Sequence, residues 1–103
     1  MTNSEKFYGQ VAADLTEAEI SQMFGMPSLK IKGKAFAGLA GEDMVFKMAN
    51  PEHDEALSLA GAHLFDPSGK RPMKEWVVVP LEFHENWLRF GQAAMNYVAS
   101  QIK

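Results

Sequence analysis

The stretch 23–79 reads MFGMPSLKIKGKAFAGLAGEDMVFKMANPEHDEALSLAGAHLFDPSGKRPMKEWVVV, and its alternating segments and turns decide the fold. Within it, Leu29-Lys30-Ile31-Lys32 alternates apolar and charged residues, which is typical of a strand with one buried face. Gly33 and Gly41 mark turns, and apolar segments over 34–40 and 44–48 follow them. Three adjacent strands joined by such short turns predict an antiparallel meander.

The second half of the stretch predicts a helix and two further strands. Asn50-Pro51 begins the helix, because asparagine is a capping residue and proline fits the first helical position. His63-Leu64-Phe65 is a short strand, and Trp76-Val77-Val78-Val79 gives the strongest strand signal in the chain. Between them, Asp66-Pro67-Ser68-Gly69 has the residues of a tight turn.

The two flanks of the stretch predict helices. Phe7, Val11 and Leu15 share one face of a first helix, capped by Asn3 or Ser4. A last helix over 84–102 carries an apolar stripe made of Trp87, Leu88, Gly91, Ala94, Met95, Val98 and Ile102.

Residues 20–24 (Ile20 to Phe24) admit two interpretations. They form either a strand or a short helix that begins at the capping-box pattern of 16–19, and we favour the strand. The chain is therefore predicted to be one α+β domain over 1–103, in the order α-β(3-4)-α-β(2)-α. An antiparallel sheet of about five strands would form one layer, with helices on one face as the other.

Composition narrows the class of protein. The 103 residues include no cysteine, which excludes a disulfide framework, a thiol nucleophile and a cysteine-based zinc site. No apolar run approaches the roughly 18–20 residues that span a bilayer, and the polar N-terminus lacks the apolar region of a signal peptide. We expect a soluble, cytoplasmic protein without membrane partners. The net charge of −3 argues mildly against nucleic acid, unless the lysines of 28–48, where the charge is +2, share one surface.

Several motifs resemble the N-terminal domain of the TfoX/Sxy family, which are bacterial proteins linked to competence regulation. Met23-Phe24-Gly25 stands before the hairpin, and Gly33-Lys34 stands at its turn. Met26 replaces a second glycine, Lys70 is an insertion, and Glu75 replaces another glycine. The resemblance covers about residues 5–100, and its most specific motif comprises Gly69, Arg71, Pro72, Met73, Lys74, Trp76 and Val77.

This resemblance implies a non-enzymatic regulatory domain and supplies no catalytic residue. The implied fold is similar to that of secretion chaperones and of YjbR-type proteins, for which DNA binding has been proposed. The residues themselves agree, because His53, His63 and His84 show no metal-ligand spacing. Asp54, Glu55 and Asp66 could serve as acid–base groups, but no nucleophile motif accompanies them. We expect no metal, no cofactor and no enzymatic activity.

The best candidates for a functional site are basic. If the Gly33 turn and the Gly69 loop lie at one end of the sheet, their cations could contact phosphates. The alternative, which we favour from the sequence, is that edge lysines prevent aggregation between sheets. The candidate residues are Lys30, Lys32, Lys34, Lys70, Arg71 and Lys74.

Seven methionines and eleven aromatic residues are many for this length. They either fill the core or line a dimer face. Trp76 and Trp87 are expected to join the last strand to the last helix. Our first hypothesis is therefore a regulatory or protein-interaction domain, expected to be a homodimer. A DNA-binding accessory protein that uses its lysine-bearing hairpins is the alternative.

Overall fold

The predicted meander forms the centre of a larger sheet. A computed structural model describes residues 2–23 and 25–102. Its elements are α1 (Asn3–Asp14), β1 (Glu19–Met23), β2 (Met26–Ile31), β3 (Lys34–Ala40), β4 (Asp43–Lys47), α2 (Glu52–Leu57), β5 (His63–Phe65), β6 (Met73–Val79), a 3-10 segment (Leu81–Asn86) and α3 (Trp87–Gln101). The strands form one antiparallel sheet in the order β1-β2-β3-β4-β6-β5.

The predicted α+β class and element order are confirmed, with six strands rather than about five. The sixth strand is β1, so the strand interpretation of 20–24 is also confirmed over the part that the structure describes. Phe24 lies outside the described residues. β1 pairs with β2 from Glu19 opposite Lys30 to Met23 opposite Met26, which makes β1 one edge of the sheet.

The first helix begins differently from the prediction. Thr2, not Asn3 or Ser4, is the capping residue, and it forms a capping box with Glu5. The hydrogen bonds lower the pKa of the Glu5 carboxyl. Ser4 is instead buried and donates to the carbonyl of Glu42 at 2.7 Å. The buried face of α1 consequently contains Ser4, Tyr8 and Val11.

The second helix spans only Glu52–Leu57. It begins at Glu52, one residue beyond the predicted start, and the Asn50–Pro51 peptide is cis. Asn50 still provides a cap, since its Oδ1 accepts from the backbone N–H of Asp54 at 3.0 Å.

One face of the sheet packs against α1 and α3 in the main hydrophobic core. Gly91 permits this contact: a methyl group there would lie 3.1 Å from Leu15 Cδ1 and 3.2 Å from Val11 Cγ1. Trp87 joins β6 to α3 as expected, donating from Nε1 to the Val79 carbonyl at 3.2 Å. Phe90, absent from the predicted stripe, is fully buried, whereas Leu88 is 40% exposed.

The opposite face, which we call the open face, has its own apolar cluster. It consists of Val45, Phe65, Trp76 and Val78, with Met23, Met26 and Met73 partly buried around it. The expectation that Trp76 contacts the last helix is therefore wrong, because Trp76 lies on the face away from α3. Its neighbour Val77 faces the helices instead, as strand alternation requires.

Candidate anion-binding site

The β2–β3 turn and the loop before β6 lie at the same end of the sheet. At that turn Ile31 pairs with Lys34. β4 runs antiparallel to β3 and ends there at Lys47, which pairs with Trp76 near the start of β6. The Gly33 turn and the Gly69 loop therefore do lie at one end of the sheet, which is the arrangement that contacts with phosphates require. We call this region the basic end, and its cations are Lys30, Lys32, Lys34, Lys47, Lys70, Arg71 and Lys74.

Cations are concentrated at one end of the sheet, where they outnumber the carboxylates Glu19, Asp66 and Glu75. Seven of the nine lysines and arginines that the structure describes belong to the basic end, the other two being Lys6 and Arg89. The opposite end carries carboxylates, and contacts there bring its segments together: Leu81 N–H donates to Asp43 at 2.9 Å. The carboxylates of that end are Glu5, Glu42, Asp43, Glu82 and Glu85. An acidic chain can thus present a positive surface.

Protection of sheet edges does not explain these cations. The edge strands are β1 and β5, with sequences EISQM and HLF, and neither contains a lysine. Lys30, Lys34, Lys47 and Lys74 belong to β2, β3, β4 and β6, which are all internal. The aggregation-preventing role that we favoured from the sequence requires edge positions, so the sheet order does not support that role for these four lysines.

Lys47 lies at the centre of the site. It borders a concavity of about 350 Å³ that Arg71 and Lys74 also line. It borders a second one, of about 170 Å³, together with Lys34 and the end of α3. Sequence reasoning did not select Lys47, because it stands outside both recognised motifs. The signal was available: an antiparallel meander returns the end of its third strand to the first turn.

The remaining predicted cations surround this centre. Lys32 occupies the β2–β3 turn with a φ of 52°, beside Gly33 at 81°, and is exposed. Lys70 is exposed in the loop 66–72, where the Asp66 carboxylate accepts from the Gly69 N–H at 2.8 Å. Lys30 is half-buried on β2 opposite Glu19, which offsets part of its charge.

Glu75 is a carboxylate that lines the larger concavity together with Lys47. It accepts a hydrogen bond from the Tyr97 hydroxyl of α3, and that bond raises the pKa of Tyr97. Gln101 donates to the same hydroxyl at 3.0 Å. His53 of α2 donates from Nε2 to the carbonyl of Lys74 at 2.7 Å. Two helices therefore hold the start of β6, α2 through the Lys74 carbonyl and α3 through the Glu75 carboxylate.

The other candidate chemistry is accounted for by local structure. His63 Nδ1 donates to the Gly61 carbonyl at 3.1 Å, and the His84 ring stacks on Phe7 with a centroid distance of 3.7 Å. Arg89 forms a two-pronged ion pair with Glu55, which lowers the pKa of that carboxyl. Over 2–23 and 25–102, no group of three histidines, cysteines or carboxylates could hold a metal ion.

Tyr8 is a further titratable residue with a shifted pKa, but it is buried in the core. Tyr8 lies in the helix-side core, and its burial raises the pKa of the phenol to about 12.

A groove of about 230 Å³ runs between α1 and α3, but its walls combine Phe7 and Leu88 with Asp14 and Glu85. That mixture offers no excess of positive charge, so the basic end remains the strongest candidate site.

Comparison with known proteins adds no relative. The chain matches no family model, no curated protein and no solved structure. Among the residues that the structure describes, no helix has the length and apolarity needed to cross a membrane.

Proposed function

We propose that this chain is a non-enzymatic regulatory domain of TfoX N-terminal type that binds the phosphate backbone of nucleic acid through its basic end. One observation carries the proposal: seven of the nine described cations lie at one end of the sheet, four of them on internal strands and three in the adjoining turn and loop. A bacterial cytoplasm, as the resemblance suggests, is where such a ligand is abundant.

The size of the basic end sets how many phosphates it can contact. From β2 to β6 there are three strand spacings, since the order is β2-β3-β4-β6. At about 4.8 Å each, they span about 14 Å. With a phosphate every 3.4 Å or so along one strand of a duplex, about four phosphates fit this span.

The test is fluorescence anisotropy of a labelled duplex titrated with the protein at several salt concentrations. About four contacts predict a slope of log K against log salt of about −3.6, or about 150-fold weaker binding between about 50 and 200 mM salt. Replacing Lys32, Lys34 and Lys47 by glutamine should abolish binding, while Lys6→Gln should retain it. Absent binding at about 50 mM salt, or binding that is indifferent to salt, would contradict the proposal.

A second candidate function, self-association, is favoured by the β1 edge. Ile20 on this strand is 80% exposed, and β1 contains neither proline nor lysine. Antiparallel pairing of two β1 strands about Ser21 would place Ile20 opposite the partner's Gln22, in an isologous homodimer. Sedimentation equilibrium should then give a dimer that Ile20→Lys converts to a monomer, and a monomeric wild type would refute it.

A further inference from the structure

The larger concavity of the basic end has two chemically different parts. Three cations line it, Lys47, Arg71 and Lys74, and we call them its rim. Three apolar residues also line it, Pro72, Met73 and Trp76, and we call them its floor. Trp76 is 6% exposed and packs in the open-face cluster with Phe65 and Val78, so most of the floor's accessible surface belongs to Pro72 and Met73.

This combination selects a class of ligand. A ligand that offered only phosphates would gain nothing from an apolar floor, because phosphates need charge and hydrogen-bond donors. A purely apolar ligand would gain nothing from three cations. The volume of about 350 Å³ is near the lower limit for small-ligand sites, which begin at about 300 Å³. An anionic group attached to one planar, apolar group fits both parts.

We infer that this concavity holds one nucleotide unit of a single-stranded nucleic acid, with its base on the Pro72-Met73-Trp76 floor and its phosphate on the cationic rim. The inference rests on the proposed function and specifies the ligand. In a duplex the bases are paired and stacked, so they cannot reach an apolar floor. In a single strand a base can turn outward and pack on an aromatic or apolar surface.

The site is held in place before any ligand arrives. The Tyr97 hydroxyl fixes Glu75, and His53 fixes the carbonyl of Lys74. The loop that carries Arg71 is closed by hydrogen bonds from Gly69 N–H and Ser68 Oγ to the Asp66 carboxylate. These contacts hold the backbone beside the concavity, which lowers the ordering that binding requires.

The test compares three fluorescent ligands of about 12 nucleotides: an oligothymidylate, an abasic strand with the same phosphates, and a duplex. We expect the oligothymidylate to bind at least about fivefold more tightly than the abasic strand, since each base packed on such a surface adds about that factor or more. Trp76 fluorescence should change on binding, because Trp87 is fully buried on the other side of the sheet.

Two methionines provide matched variants. Met73→Ala removes part of the floor and should bring the ratio of the two strands close to one. Met26→Ala is the control, since Met26 is also partly buried on the open face but lies at its opposite end. Thermal unfolding of both variants shows whether each is folded, and if Met73→Ala is not, Pro72→Ser at an exposed position replaces it.

The outcomes separate this inference from the proposed function. Equal affinity for the three ligands would overturn the nucleotide pocket while leaving backbone binding intact. No binding of any ligand would overturn both. If thymidine monophosphate competes as well as the oligothymidylate, the ligand is a free nucleotide, and the inference that the concavity binds a single strand is wrong. A preference for the oligothymidylate that Met73→Ala removes and Met26→Ala retains would support the inference.

Discussion

Lys47→Gln is the substitution that tests the basic end most sharply. Lys47 borders both concavities of the site, and no other described cation does so. Glutamine keeps most of the aliphatic length that half-buries this side chain and removes only the charge. The variant should therefore fold like the wild type and lose one phosphate contact.

The expected loss follows from the release of one counterion. If affinity varies with salt to the power of −0.9 per contact, losing one contact weakens binding about 15-fold at 50 mM salt and about fourfold at 200 mM. In free energy these losses are about 1.6 and about 0.9 kcal/mol. The slope of log K against log salt should fall in magnitude by about 0.9.

Anisotropy titrations of one labelled oligonucleotide at both salt concentrations measure these quantities. Lys6→Gln is the control, because Lys6 is exposed on α1 and lies outside the basic end. It should retain the affinity and the slope of the wild type. Equal losses in the two variants would show that binding depends on net charge alone, and the assignment of the site to the basic end would be refuted.

Three further predictions concern packing and charge. Gly91→Ala should lower stability by about 1 kcal/mol, because the added methyl group would lie 3.1 Å from a neighbouring side chain and this overpacking outweighs the gain in helix propensity. Gly9→Ala, which has open space around it, should raise stability by about 0.5–1 kcal/mol. Thermal melts check both variants, and a stabilised Gly91→Ala would contradict the packing described. Glu75→Gln should raise affinity for an oligonucleotide about twofold, the order expected in water for removing one charge that repels a nearby phosphate. Weaker binding in the same anisotropy titration would show that this carboxylate supports the site. Because Arg89 lowers the pKa of Glu55 from its ordinary 4.5, the ion pair stabilises the fold above pH 4.5, and this contribution is lost as pH falls through the lowered pKa. The difference in stability between wild type and Glu55→Gln should therefore vanish in acid. A difference that persists in acid would exclude the ion pair as its source.

Strand signals allowed most of the sheet to be predicted. The alternation of Leu29 and Ile31 identified the buried face of β2, and both side chains are buried in the helix-side core. The bounds of β3 and β5 also agree with the prediction. Turn chemistry explains this success, because Gly33 and Gly41 both adopt the positive φ that the two hairpins need.

Features that depend on tertiary contacts were not predictable from pattern alone. Ser4 resembled a cap, but its hydroxyl donates a hydrogen bond to the carbonyl of Glu42, which is distant in sequence, and Ser4 lies in the interior. Trp76 was assigned to the wrong face because an apolar run such as 76–79 is buried on both sides of the sheet and carries no alternation. Phe90 was omitted because its helical position borders the assumed stripe.

The candidate site was only partly predictable. The two basic motifs were visible in the sequence, but whether they meet depends on which end of the sheet each turn occupies. The sheet order also changed the interpretation, because Lys30, Lys34 and Lys74 turned out to lie on internal strands. No local pattern distinguishes an edge strand from its neighbour, so only the sheet order shows that these lysines do not protect an edge.

The most direct test of the central claim is to map amide chemical shifts while an oligothymidylate is titrated into isotope-labelled protein at low salt. If the basic end binds the strand, the shifts should concentrate at Gly33, Lys47, Arg71 and Lys74 and leave Glu42 at the opposite end unchanged. Shifts confined to the opposite end or to β1, or no shifts at all, would contradict the account.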